Sequence, residues 1–102
     1  MALVIIVELY AKDTAEAIDT LKRTLVEATG IYIKDQGTLE WRPIQDTADK
    51  RAFRVFEKFE SQANAFQVHR ENPYRQNFLG ALKDALEKPP QQGNYEELVQ
   101  GR

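Results

Sequence analysis

The sequence predicts an α+β fold, a ferredoxin-like βαββαβ sandwich in which helices cover one face of an antiparallel sheet. A chain of 102 residues that is 42% hydrophobic can build one core, so we expect one domain over residues 1–102. Apolar residues recur with a period of two or of about 3.6, in the order strand, helix, strand, strand, broken helix, strand. The first of these segments is apolar on both alternate sets, so both of its faces need cover.

The first strand, predicted over residues 3–10, carries the argument for a homodimer. One face holds Leu3, Ile5, Val7 and Leu9, and the other holds Val4, Ile6 and Tyr10. Together with Phe56 of a later strand, the second set forms an apolar patch on the sheet face that the helices leave open. Because contiguous exposed apolar patches usually mark interfaces, we expect two copies to associate sheet against sheet.

A helix and a second strand follow. Asp13 and Glu16 have capping-box-like spacing, which predicts that the helix begins there, and Gly30 predicts its end. Between these limits the apolar residues at helical spacing are Ile18, Leu21, Leu25 and Ala28. The second strand is predicted over residues 38–43.

The second half of the chain repeats this order. A third strand over residues 52–59 has one face formed by Phe53, Val55, Glu57 and Phe59. Ser61 is predicted to be the N-cap of a short helix. Asn72 followed by Pro73 predicts that the helix breaks there and begins again, with Asn72 as N-cap and Pro73 as its first residue. Apolar residues at every fourth position extend this helix to Leu86, and the last strand is predicted over residues 95–99.

Composition excludes several classes of function. Fourteen Lys and Arg residues against sixteen Asp and Glu residues give a net charge of −2 and a pI of about 5.4, so we expect no nucleic-acid partner. The absence of cysteine excludes disulfides and thiol catalysis, and one histidine cannot anchor a multi-histidine site, so we expect no metal. The apolar start is interrupted by Glu8 before it could span a bilayer, so we expect a cytoplasmic protein without a membrane partner.

Several stretches resemble one known family. They are residues 37–41, residues 53–61, Ala65 and Phe66 with His69, Pro73 with Tyr74, and Phe78. In residue type and spacing they are similar to the antibiotic biosynthesis monooxygenase (ABM) domain. The resemblance covers nearly the whole chain and implies a dimeric ferredoxin-like α/β barrel. It also implies, for many members, a monooxygenase that uses O₂ without a cofactor on quinols, anthrones or similar polyketide-type aromatics.

The resemblance does not extend to the haem-degrading branch of that family. That branch needs an Asn on the first strand, where this chain has Val7 or Glu8. It also needs a Trp at the position of Phe59 and a haem-ligating His in the last helix, and residues 74–86 contain no histidine.

His69 and Glu57 are the candidate catalytic residues. Oxygenation without metal or flavin needs an apolar pocket and a base that converts a phenol or enol to its electron-rich anion. His69 has an ordinary pKa near neutrality and suits the base, unless it is a helix-end histidine bonded to a nearby carbonyl. Glu57 shares its strand face with apolar residues and suits a desolvated partner for His69, unless it is paired with a Lys or Arg.

The candidate substrate-binding residues are Trp41, Phe59, Tyr74, Tyr32 and Asn64. The four aromatic side chains offer flat surfaces for stacking, although each also suits an ordinary core position. The polar Asn64 is a candidate through the family resemblance. The Lys and Arg residues have the pattern of a solvated surface.

Three functions remain open at this point. The first is cofactor-independent monooxygenation of a small electron-rich aromatic, such as a quinol or an anthrone. The second is isomerisation or cyclisation of an enolisable molecule in the same pocket without O₂. The third is a non-catalytic accessory domain that binds a small molecule, favoured if Glu57 is salt-bridged and the protein's own aromatics fill the pocket.

Overall fold

The structure is a computed structural model that describes residues 2–99, and within that range it leaves the side chains of Ala63, Asn64 and Phe66 undescribed. Its elements, in chain order, are β1 (Leu3–Tyr10), α1 (Ala15–Tyr32), β2 (Thr38–Gln45), β3 (Ala52–Phe59), α2 (Gln62–Glu71), α3 (Arg75–Ala85) and β4 (Gln91–Glu96). The βαββαβ order predicted from the sequence, with its broken second helix, is confirmed.

The four strands form one antiparallel sheet in the order β2-β3-β1-β4. The helices cover one face, as predicted for the ferredoxin-like fold. Glu57 lies near the centre of the covered face, between Ile5 on β1 and Trp41 on β2. The sheet is open at β2 and β4, so one chain does not close a barrel.

The core lies between the covered face and the helices. α1 contributes its buried stripe of Leu21, Leu25, Ala28 and Tyr32, spaced so that they share one side of the helix. Phe78 and Leu82 of α3 complete the same cluster against the sheet. Burial of each leucine or phenylalanine side chain in this cluster stabilises the fold by about 1.5–3 kcal/mol.

The ends of α1 differ from the prediction. Thr14, not Asp13, is the N-cap, because its hydroxyl accepts the Ala17 N–H at 3.0 Å. The helix continues through Gly30 to Tyr32, since Gly30 does not adopt a positive φ and the fully buried Tyr32 ring holds the last turn against the core. This added half-turn brings Tyr32 over the sheet.

Two strands also differ in length or position. β2 extends past Pro43 to Gln45, which is possible because β2 is an edge strand. β4 covers Gln91–Glu96 instead of residues 95–99. Its side chains are mostly exposed, so it lacks the apolar alternation that locates a strand in a sequence.

The sheet face opposite the helices is more covered than the sequence predicts. Val4 is buried there, flanked by Lys58 of β3 and Tyr95 of β4. Lys58 is buried too, and its ammonium pairs with Glu97 at 2.9 Å. The half-buried apolar residues that remain on this face are Ile6, Tyr10 and Phe56. Part of the predicted patch is therefore covered within one chain.

Within residues 2–99, none of the three helices combines the length and the hydrophobicity that crossing a bilayer requires.

Candidate functional site

A cavity of about 310 Å³ lies between the covered sheet face and helices α2 and α3. Its walls are mostly apolar and include Ile5, Val7, Ala65, Phe78 and Leu82, and its polar wall includes Glu57, His69 and Tyr32. A larger hollow of about 410 Å³ lies on the other face of the sheet. We place the candidate site in the smaller cavity, because a buried carboxyl and an imidazole face each other there.

Glu57 supplies the buried carboxyl. The two-residue period of β3 turns it toward the helices together with Val55 and Phe59, and it is 5% exposed. Burial raises its pKa to about 7, and the neighbouring Trp41 indole N–H partly opposes that rise without making a hydrogen bond of good geometry. Among the described residues no Lys or Arg pairs with it, so the salt-bridge interpretation does not hold.

His69 supplies the imidazole from the last turn of α2. Its Nε2 lies 4.0 Å from Glu57 Oε1, and its Nδ1 is buried without a hydrogen-bond partner. The alternative of a histidine bonded to a carbonyl therefore does not hold. Burial lowers the pKa of His69, and the nearby Asp35 opposes this while Arg75 adds to it. The imidazole is consequently neutral near pH 7 and able to accept a proton.

Tyr32 forms the third polar group of the cavity. Its ring lies 4.4 Å from the His69 ring, centroid to centroid, and meets Phe78 edge to face at 5.4 Å. The hydroxyl is buried without a hydrogen-bond partner, and burial raises its pKa to about 12. It therefore stays protonated and can donate a hydrogen bond to a ligand.

Three other predicted binding residues, Trp41, Phe59 and Tyr74, are not among the residues that line the cavity. Trp41 is buried behind Tyr32, with ring centroids 5.3 Å apart, and Phe59 lies under His69 at 5.8 Å. Tyr74 faces away, since its hydroxyl donates to the Glu27 carboxylate at 3.0 Å. These three aromatics support the cavity from outside it.

The Asn64 prediction lies outside the residues whose side chains the structure describes, although its backbone belongs to α2. The described residues also contain no group of three Asp, Glu or His side chains placed to hold a metal ion.

Two arginines line the cavity and were missed by the sequence interpretation. Arg70 and Arg75, assigned above to the solvated surface, lie at its α2 and α3 walls. Asn72 fixes the break between these helices, because its side chain accepts the Tyr74 N–H at 2.9 Å and donates to Asp35 at 2.8 Å. A spacing signal was present: residues 75, 78, 79 and 82 stand at i, i+3, i+4 and i+7, which is one helix face.

Comparison with known proteins places the fold. No protein-family model matches the sequence, and no curated protein matches it either. Among solved structures, Rv0793 from Mycobacterium tuberculosis has a TM-score of 0.87 at 15% identity, with 100% of both chains covered. A Nitrosomonas europaea protein provisionally named an antibiotic biosynthesis monooxygenase also has a TM-score of 0.87, at 18% identity, covering 95% of this chain and 99% of that one.

A third structure, named antibiotic biosynthesis monooxygenase, has a TM-score of 0.83 at 15% identity and covers 95% of this chain and 99% of its own. Identities this low establish a shared architecture and leave the chemistry to the residues of this chain. The protein therefore has the ferredoxin-like fold found in structures named as antibiotic biosynthesis monooxygenases.

Proposed function

We propose that the protein is a cytoplasmic, cofactor-independent monooxygenase that oxidises a small electron-rich aromatic such as a quinol or an anthrone. The observation that carries this proposal is the neutral His69 imidazole facing the Glu57 carboxyl at 4.0 Å on the wall of a mostly apolar cavity. An apolar site and a base are what this chemistry asks of a protein, since the substrate anion reduces O₂ itself. The fold is shared with proteins named antibiotic biosynthesis monooxygenase, and this likeness supports the monooxygenase part of the proposal.

His69, Glu57 and Tyr32 have different roles in forming the substrate anion. His69 takes the phenol or enol proton at a ring nitrogen and becomes an imidazolium. Glu57, with a pKa of about 7, ionises readily beside that cation and stabilises it. Tyr32 donates its hydroxyl proton in a hydrogen bond to the substrate oxygen, where negative charge develops.

The oxidation then balances without an added reductant. For an anthrone-type substrate, a CH₂ group becomes C=O, one atom of O₂ enters the product, and the other leaves as water. The substrate supplies all the electrons, and the proton taken up by His69 returns to the departing oxygen.

An isomerase or cyclase remains the second candidate. The protonated Tyr32 hydroxyl favours it, because a donor beside a base can polarise the carbonyl of an enolisable substrate while the base removes the neighbouring proton. The accessory-domain alternative loses its two supporting conditions, because Glu57 has no Lys or Arg partner among the described residues and the cavity is not filled.

Oxygen uptake tests the proposal. An oxygen electrode with a panel of quinols and anthrones, in metal-free and flavin-free buffer, should show uptake by the wild type. His69→Ala should lose it about 10²-fold or more, as expected for removal of a general base. Gln67→Ala, an exposed position on the same helix, is the matched control and should keep it. Product formation that proceeds equally without O₂ would instead establish the isomerase.

We also propose that two copies associate through the open sheet face. Ile6 and Phe56 are half-buried there, and Ile44 and Tyr95 are 56% and 54% exposed, which leaves apolar area for a partner. Sedimentation equilibrium should show a dimer that Phe56→Glu dissociates. Val26→Glu, on the solvent side of α1, should leave it intact, and a monomeric wild type would contradict the proposal.

A further inference from the structure

We propose that Arg70 and Arg75 bind an anionic group at the mouth of the cavity, so that the ligand is an aromatic acid and not a neutral aromatic. This inference deepens the proposed function, because it concerns the same cavity. It rests on the placement and the pairing of the two side chains, and its test measures binding without turnover.

Arg70 and Arg75 differ from the other described arginines in their ion pairing. Of the six arginines in residues 2–99, four form ion pairs, which are Arg23 with Asp19, Arg42 with Glu40, Arg51 with Glu87 and Arg54 with Glu8. Arg70 and Arg75 have no ion pair and no side-chain hydrogen bond with any described residue. The two guanidinium groups without a partner among the described residues therefore line one cavity, and we take an anionic ligand in that cavity as their partner.

The charge of Arg75 reaches the interior of the cavity. It adds to the lowering of the His69 pKa and opposes the rise of the Tyr32 pKa, and both residues line the cavity with it. Arg75 is also the first residue of α3, where the helix dipole adds partial positive charge. Asp35, in the loop after α1, carries the opposite charge, with one oxygen accepting from Asn72 and the other buried without a partner. Its effect on the pKa of His69 exceeds that of Arg75, whereas at Tyr32 the effect of Arg75 is the larger.

The order of groups along the cavity orients the ligand. Arg70 is exposed, Arg75 and His69 are half-buried, and Glu57 is 5% exposed. A ligand would place its anionic group outward on the arginines and its ring inward between Phe78 and the catalytic pair. The planar guanidinium group suits carboxylate and phosphate oxygens alike, because it donates two parallel hydrogen bonds to either.

Two fluorescent probes with the same ring system test this assignment. They are 8-anilinonaphthalene-1-sulfonate and its uncharged counterpart N-phenyl-1-naphthylamine. The wild type should bind the sulfonate more tightly, and Arg70→Gln and Arg75→Gln should each weaken that binding about tenfold or more, since a charge-assisted hydrogen bond is lost. Binding of the neutral probe should change less than about twofold, and Arg23→Gln should behave as the wild type toward both probes.

Competition identifies the natural anion class. Displacement of the sulfonate by 1-naphthoate, but not by 1-naphthyl phosphate, would assign a carboxylate, and the reverse would assign a phosphate. Equal weakening for both probes, or no weakening in either arginine variant, would overturn the proposal. Oxygen uptake from neutral quinols alongside such a result would remove this inference and leave the proposed function in place.

Discussion

Glu57→Gln is expected to change how stability depends on pH, because the substitution keeps the side-chain shape and removes the ionisable group. Burial raises the pKa of Glu57 from 4.5 to about 7. Between these values the unfolded chain has released the proton that the folded protein still holds. Stability due to this group is therefore fully present below pH 4.5 and is lost as pH rises through 7.

At about 1.4 kcal/mol for each pKa unit, this rise in the pKa of Glu57 corresponds to about 3 kcal/mol. His69 acts in the opposite direction, because burial lowers its pKa and stability from that group is lost as pH falls below 6.5. Both proteins contain His69, so the difference between wild type and Glu57→Gln at each pH reports the titration of Glu57 together with its coupling to His69 across 4.0 Å.

Urea unfolding measures that difference, with fluorescence of the single, buried Trp41 as the signal and the protein concentration held fixed. From pH 4.5 to 8.5 the stability of Glu57→Gln relative to wild type should rise by about 3 kcal/mol, which is a midpoint shift of about 1–3 M urea. The exposed control Glu60→Gln should show no such trend. A relative stability of Glu57→Gln that stays constant over this range would refute the argument that burial controls Glu57.

Three further substitutions test other parts of the structure. Tyr32→Phe should leave stability in thermal unfolding unchanged or raise it by up to about 1 kcal/mol, since the buried hydroxyl has no partner. A variant destabilised by more than about 1 kcal/mol would show that the hydroxyl makes a hydrogen bond in the folded protein. Thr14→Ala should cost about 1 kcal/mol because the N-cap hydrogen bond at 3.0 Å is lost, whereas an unchanged melting temperature would argue against that cap. Glu97→Gln should destabilise by about 3 kcal/mol, because it leaves the buried Lys58 without its counter-charge, and a cost typical of a surface pair would show that Lys58 is solvated.

Periodicity alone was enough to predict the element order and the face on which Glu57 lies. Side chains alternate strictly along a strand, so the apolar set of β3 fixes the direction of every residue in it. The predictions were wrong where the apolar periodicity is absent or where a residue type is misleading. Gly30 resembles a helix end but lies inside α1, and β4 carries no apolar pattern because it is an exposed edge strand.

The sequence also predicted three residues that line the cavity: His69 and Glu57 from their ionisation chemistry, and Tyr32 from its aromatic ring. It could not give the 4.0 Å approach of His69 to Glu57, because that distance depends on how α2 packs against β3. The sequence interpretation also assigned Arg70 and Arg75 to the solvated surface. The residues next to a charged side chain at a helix break do not indicate which distant residues it will contact.

Local chemistry in this protein determines which face each strand and helix buries, because those faces follow from side-chain geometry over a few neighbouring residues. The tertiary structure decided which buried groups meet, which arginines have no counter-charge within the described part of the chain, and where a cavity is left. Those properties arise from contacts between residues far apart in the chain, and burial there changes the pKa values of Glu57 and His69 in a way that no sequence spacing specifies.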